Sequence, residues 1–492
     1  MNPVQAALPP TQLIPKGSWL LALAVIYGLV FFPGALFYRP LAFEQETFIQ
    51  ATELFLMFPK LLVFGVLVLL GFLEQRSQVQ WRHPLVWLTG LHLLLVVVSS
   101  LNSGDELTYT LLGARGRFDG LLFQVLLSML IVAAFTALQQ HKALLERLPA
   151  MLVIGAVLQS VIVIGQYVGF DPLTISRRWE TTSLNLGLLA HPGMVAGLLL
   201  PCIVIAVIQA GEQSRQGLLW SLAAITIAIG FSTLSNRTAL LACLVALLGV
   251  LLLRRTWFHA ALIGAVLLTS VYARAALPHK ITLRTLEDGR TLETRLLMWP
   301  LTLKMAATIP GAPLIGGGSD ALRLAQLRHP PLKELTALTR LELGWTDKTV
   351  VKSVEVIPGA GTTERDQMLR FTFSSRENGS SIGANGRDYE DYEFTWDKAH
   401  NFFLDRLIAY GLPDALLWLA FYLFPVYWAW RFGDTKTRLW TCVTLSIFGY
   451  YLTWFPVMQV EPLHVIMVLL SWAAVQYAPS RRSTLATVRA IK

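Results

Sequence analysis

The sequence predicts an all-α polytopic membrane protein, and three observations lead there. Of its 492 residues, 54% are hydrophobic and only 14% charged, whereas a soluble globule carries about 25% charged residues. The apolar residues gather into long runs, twelve of which approach the roughly 20 residues needed to cross about 30 Å of hydrocarbon. Lys and Arg cluster at alternate ends of these runs, as they do in cytoplasmic loops.

The runs cover residues 18–38, 54–73, 84–101, 118–138, 148–169, 184–209, 218–234, 238–253, 257–273, 401–430, 439–455 and 462–477. The first is too long for a signal-peptide core and is expected to stay as a signal anchor. With the N-terminus inside, the inner segments collect Lys16, Arg76, Arg82, Lys142, Arg147, Arg215, Arg254, Arg255, Arg431, Lys436 and Arg438. Both termini are therefore expected to be cytoplasmic. Three regions follow: spans one to nine in 1–273, an outer loop domain in 274–399, and spans ten to twelve with a tail in 400–492. The net charge of +9 reads as orientation against anionic membrane lipids, and no nucleic acid is expected as a partner. Cys202, Cys243 and Cys442 lie inside apolar runs without metal or disulfide spacing and read as packing residues.

The short outer loops hold Arg39, Arg115, Arg117, Arg177, Arg178 and Arg237, and no lysine. The planar fork of arginine binds phosphate oxygens in bidentate fashion, which lysine cannot do. Arginines placed against the topological preference point to an anionic phosphate ligand on the outer face, with snorkelling and local ion pairing as the alternative. Arg237 stands between two apolar runs with almost no loop, a position where substrate or a lipid headgroup is the expected partner. Arg117 either serves the same ligand or pairs with Asp119. Lys60, several residues into its run, is expected to snorkel outward.

The outer loop has two parts. "LETRLLMWPLTLKMAATIPGAP" reads as an amphipathic helix at the interface, with Glu293 in its first turn and Pro300 kinking it. "KTVVKSVEV", "MLRFTFSS" and "YEFTWD", separated by Gly, Asn and Ser clusters, read as short strands of a small β-rich insertion.

Topology places His83, His92, His141 and His259 on or near the inner side and leaves five histidines near the outer face. His279 and His329 adjoin prolines in loop sequence, and His464 reads as helix packing. His191, in "LLAHPGMVAG", suits a structural role at a helix break or a functional one equally. His400, in "KAHNFF", begins a helix beside Asn401, downstream of the acidic run "DYEDYEFTWDK". The positive end of a helix dipole favours the neutral imidazole that a general base requires, although an interfacial residue with no chemistry fits these facts as well.

No Walker A sequence, H-E-x-x-H pattern or cysteine cluster is present, so neither ATP, zinc nor any other cofactor is expected. The glycines of "LIGGGSD" can wrap a phosphate but read equally as a turn. Acidic residues within the runs are few, which weighs against a proton- or sodium-coupled transporter.

Taken in order, "RFDG", "HPGMVAG", "SNRTALLA", "TRLLMWPLTLKMAATIPGAPLIGGGSD" and "AHNFFLDRLIAYGLPDALL" resemble the superfamily of O-antigen ligases, O-antigen polymerases and bacterial O-oligosaccharyltransferases, and O-antigen ligases most. The resemblance implies a bacterial inner-membrane glycosyltransferase that takes a glycan from undecaprenyl pyrophosphate on the periplasmic side, without metal. The acceptor would be a hydroxyl on a lipid A core sugar, another glycan or a protein. The likeness implies that Arg237 and Arg295 hold the pyrophosphate and that His400 assists the acceptor. It leaves Arg117, Arg115, Asn401 and His191 as further substrate-binding residues. The chain departs from the family pattern at Gly193, where relatives commonly show asparagine, and at Ala409, where an acidic residue is frequent. A transporter of a lipid-linked anion and a receptor-like binding module remain the readings from other classes.

Overall fold

The computed structural model is described over residues 16–32, 56–103, 107–113, 117–170, 187–189, 191–212, 216–234, 236–278, 291–342, 349–357, 368–375, 390–394 and 398–477. The helices of the first half are α1 (Ser18–Ile26), α2 (Phe58–Gln75), α3 (Pro84–Asn102), α4 (Leu107–Leu112), α5 (Leu121–Gln140), α6 (Lys142–Tyr167), α7 (Pro192–Glu212), α8 (Gly217–Ser232), α9 (Arg237–Arg254) and α10 (Trp257–Ala276). Next come α11 (Thr291–Thr308), α12 (Ala312–Ile315), α13 (Ala321–Arg328) and α14 (Leu332–Glu342). Three strands, β1 (Thr349–Ile357), β2 (Met368–Ser375) and β3 (Glu390–Phe394), precede α15 (Phe402–Tyr410), α16 (Leu412–Phe432), α17 (Thr435–Tyr451) and α18 (Glu461–Tyr477).

Each of the twelve apolar runs carries helix. Eight helical segments among the described residues are long and apolar enough to cross a membrane, and α1, α8 and α18 are shorter apolar helices. The protein is thus a helical membrane protein. The tenth run is not one continuous helix: it breaks at Gly411, which has φ +89° and would press a Cβ onto the Leu314 carbonyl. That break lets the α12 loop dock between α15 and α16.

Burial varies with position in the bundle. The spanning window of α7 is wholly enclosed, whereas only a third of that of α2 or α3 is. An all-round apolar helix such as α7 can only be a bundle centre, because it has no polar face to give to water. It packs against α6, α8, α9 and α17. Gly193 and Gly197 make room on α7 for Trp454 and Tyr450, whose rings a Cβ at either glycine would overlap. Small residues permit this kind of close approach between helices in lipid. The family asparagine at 193 is absent here because an indole occupies its space.

The outer segment has the expected parts and three helices more. The α11 helix runs through Pro300 and buries Arg295, Met298, Leu301, Thr302, Met305 and Ala306 on one stripe, the i, i+3, i+4 spacing of a packed face. That stripe meets Leu322 and Ala325 of α13, Leu335 and Leu338 of α14, and Ile408 of α15 in a second apolar core. The strands form an antiparallel sheet in the order β1-β2-β3, with Val354 opposite Phe371 and Phe371 opposite Tyr392.

Lys60 does not snorkel. It is fully buried, and its Nζ donates to the carbonyls of Tyr27 (3.2 Å), Gly28 (3.4 Å) and Val30 (2.7 Å). These are the orphan acceptors at the end of α1, where a cation is favoured. The glycine run of "LIGGGSD" is a docking turn. Gly317 N–H donates to the Ile408 carbonyl and Gly318 N–H to the Ala409 carbonyl and Ser99 Oγ, so those amides are not available to a phosphate.

Acidic groups within the bundle are more consequential than their small number implied. Arg406, 1% exposed, donates to Glu461 at 2.5 Å and Gln124 at 2.9 Å and lies 3.9 Å from Asp414. Asp414 in turn meets His92 at 2.5 Å. This cluster ties α3, α5, α15, α16 and α18 together below the outer face.

Candidate functional site

His400 does not begin a helix: it lies one residue before the N-cap of α15, with φ +54°. The cap is Asn401, whose Oδ1 accepts from the N–H groups of Phe403 (3.0 Å) and Leu404 (3.1 Å) and whose Nδ2 donates to the Leu452 carbonyl (3.0 Å). Such a cap stabilises a helix by about 1 kcal/mol. The preceding amide, Ala399 N–H, donates to Asp405 Oδ1 at 2.7 Å. A left-handed non-glycine residue costs about 1–2 kcal/mol, and these bonds on either side hold His400 there. Strain of this kind, retained by surrounding bonds, is typical of working sites.

The half-buried His400 ring packs edge-on against Phe455 (4.9 Å between centroids) and Trp454 (5.6 Å). Those two rings are themselves stacked at 5.1 Å, in the connection between α17 and α18. The His191 ring lies 5.3 Å from Trp454, the Arg117 guanidinium 4.6 Å from Phe455, and the Arg295 guanidinium 5.9 Å from Trp454. Four residues flagged in the sequence, from four distant segments, thus meet on one pair of rings. Trp454 and Phe455 were not flagged. Aromatic residues at the end of a span ordinarily read as an interfacial belt, and only their neighbours reveal another role.

Arg295 is the electrostatic focus. It is 9% exposed, and its Nη1 donates to Thr238 Oγ1 at 3.3 Å. No carboxylate pairs with it among the described residues. Burial pushes its guanidinium down from the ordinary value, with the nearby Tyr450 phenol pulling the other way, yet arginine stays charged. A buried cation without a counter-charge is costly. The site therefore offers a net positive field in a partly dry recess, where an anion binds more strongly than in water.

His191 precedes α7. Its Nδ1 accepts from Gly193 N–H at 3.0 Å, and its carbonyl accepts from Met194 and Val195. One edge is accessible while neighbours crowd the rest, as expected of a residue in the wall of a recess. Its pKa is pushed down to about 4, first by burial and then by the Arg117 charge. It is therefore neutral at physiological pH.

Arg237 is exposed in the first turn of α9, beside the Thr238 that holds Arg295, and is not packed on the rings. Arg115 lies outside the described residues, as do Arg39, Arg177, Arg178 and His279. Asp119 pairs with Lys398 at 2.5 Å. His464 is fully buried between Tyr451 Oη (2.7 Å) and the Gly197 carbonyl (2.8 Å), the packing role expected of it. The three cysteines are buried and unbridged.

Fold and site together define a polytopic helical membrane protein with a cationic, histidine-bearing recess above an aromatic floor. The chain matches no protein-family model, no curated protein and no solved structure.

Proposed function

We propose that the protein is a membrane glycosyltransferase that moves a glycan from undecaprenyl pyrophosphate to an acceptor hydroxyl. The observation carrying this reading is Arg295, a buried guanidinium that shares an aromatic floor with a neutral-capable imidazole, His400, and has no carboxylate partner among the described residues. As the anomeric C–O bond breaks, the pyrophosphate gains negative charge, and prepositioned guanidinium groups stabilise it. Arg295 and Arg117 fill that role, with Arg237 at the entrance. His400 takes the proton of the acceptor hydroxyl as that oxygen attacks. A single displacement inverts the anomeric configuration. The resemblance to O-antigen ligases makes ligation to a lipid A core sugar the preferred outcome over polymerisation or protein glycosylation.

In this reading the twelve helical runs are spans, both termini face the cytoplasm, and the site opens to the periplasm of a bacterial inner membrane. A second reading, a carrier of the same lipid-linked anion, draws on the His92–Asp414 and Arg406–Glu461 pairs inside the bundle, because such groups mark ion pathways in transporters.

Reconstituted vesicles supplied with undecaprenyl-pyrophosphate glycan and candidate acceptors distinguish the two. Transfer by wild type, with loss in Arg295→Ala at matched folding, is the expected result. Movement of the lipid-linked glycan between leaflets without any transfer would replace the enzyme reading by the carrier.

A further inference from the structure

Arg117 and His400 reach the floor on segments 279 residues apart, judged by the Asp119–Lys398 hydrogen bond that joins those segments. Each residue of that pair stands two positions from one of the two working side chains: Asp119 from Arg117, and Lys398 from His400. Lys398 Nζ meets Asp119 Oδ2 at 2.5 Å, with both side chains under a tenth exposed, and also donates to the Ser319 carbonyl at 3.2 Å. The Asp119 carbonyl accepts from Tyr410 Oη (3.1 Å) and Gln124 Nε2 (3.2 Å). Phe118, between Arg117 and Asp119, has φ +53°, as His400 is left-handed two residues after Lys398. Both strained turns are therefore anchored by the same ion pair.

We infer that the buried Asp119–Lys398 pair is a positioning element that sets the placement of His400 relative to Arg117 over the Trp454–Phe455 floor. It touches no reacting atom. The inference rests on the proposed site and extends it to two residues that neither bind nor transfer anything. A buried pair exchanged for hydrophobic groups is often neutral for stability. Retaining charges here has a purpose if it fixes geometry, since two opposite charges at close range have one strongly preferred arrangement.

The test uses full-length protein in lipid nanodiscs. Removing one partner strands a charge and is strongly destabilising, so the informative variant is the neutral double, Asp119→Asn with Lys398→Met, and the second is the exchange, Asp119→Lys with Lys398→Asp. Two quantities are measured: the transfer rate, resolved into kcat and donor KM, and the carbethoxylation rate of His400 by diethyl pyrocarbonate, referenced to the exposed His329 by peptide mass spectrometry.

The neutral double is expected to lose about tenfold to a hundredfold in kcat, the scale of a 1 Å misplacement, with donor KM near wild type. His400 modification changes severalfold, and the exchange variant recovers part of both. An unchanged His400 modification rate overturns the inference, whether or not kcat falls. If wild type transfers nothing, the proposed reaction fails, while the modification rates still decide whether the pair positions His400.

Discussion

Arg406 and Arg295 are the same residue in similar burial, 1% and 9% exposed, and they have opposite surroundings. Arg406 is answered on every side, by Glu461, Gln124 and Asp414 and by the rings of Phe402 (5.1 Å), Tyr410 (5.4 Å) and Trp418 (4.7 Å). Arg295 has one hydroxyl and one ring. A charge whose field is cancelled internally holds helices together. A charge whose field is left over acts on something outside the chain, and that difference separates scaffold from site in this molecule.

The largest effect should come from breaking the scaffold side. Arg406→Met leaves Glu461 and Asp414 buried without their cation, and losing one partner of a buried pair costs about 3–5 kcal/mol. Thermal unfolding in nanodiscs should show a lower midpoint and a much lower folded yield. A variant as stable as wild type would mean that the cluster is not the rivet between α15 and α18.

Arg295→Ala should do the reverse. Loss of one stabilising donor costs roughly 10²–10³ in kcat, whereas stability holds or rises because a poorly compensated charge is removed. Ligand linkage sharpens the contrast: pyrophosphate at about 100 times its Kd should stabilise wild type by ~2.7 kcal/mol and Arg295→Ala hardly at all. Equal stabilisation of both proteins would place the anion elsewhere.

The two arginines were not equally legible in the sequence. Arg295 announces itself by opening an outer helix that resembles a known pattern, and Arg117, His191 and His400 by lying against topology or beside helix breaks. Arg406 does not, because its partners Gln124 and Glu461 are 282 and 55 residues away. Glu461 and Asp414 each sit at a helix start, where an acid reads as a favourable first-turn residue. The helical runs were legible because hydropathy is local. The break at Gly411 was not, since its cause is the approach of Leu314 from another segment. The same holds for the floor: nothing about "TWFPV" identifies Trp454 until Gly193 is found beneath it.

His191 gives a smaller, pH-dependent effect. Its folded pKa of about 4 lies below the ordinary 6.5, so between those values the unfolded chain holds a proton that the folded chain refuses. The stability it contributes is complete above pH 6.5 and is lost as pH falls through that window. Protonation also removes the Nδ1 acceptor that caps Gly193 N–H. His191→Asn, which keeps an acceptor without the titration, should flatten the unfolding midpoint between pH 6.5 and pH 4, and an unchanged slope would assign the acid sensitivity to other groups.

The smallest effect on stability, and the most direct on the meaning of the site, is expected at His400. Its left-handed backbone costs about 1–2 kcal/mol, and His400→Gly removes that strain while adding unfolded-chain entropy of about 0.5–1 kcal/mol. The net change is a gain of at most ~1 kcal/mol. Asn401 and Asp405 bond through backbone amides on either side, so the α15 cap survives the substitution. A purely structural histidine, packed on Phe455 and Trp454, would instead lose ring contacts on truncation and destabilise the protein. Transfer that collapses in a variant at least as stable as wild type therefore identifies a residue kept for chemistry at the expense of the fold. Lowered stability with transfer intact would return His400 to the scaffold, on the same side of the division as Arg406.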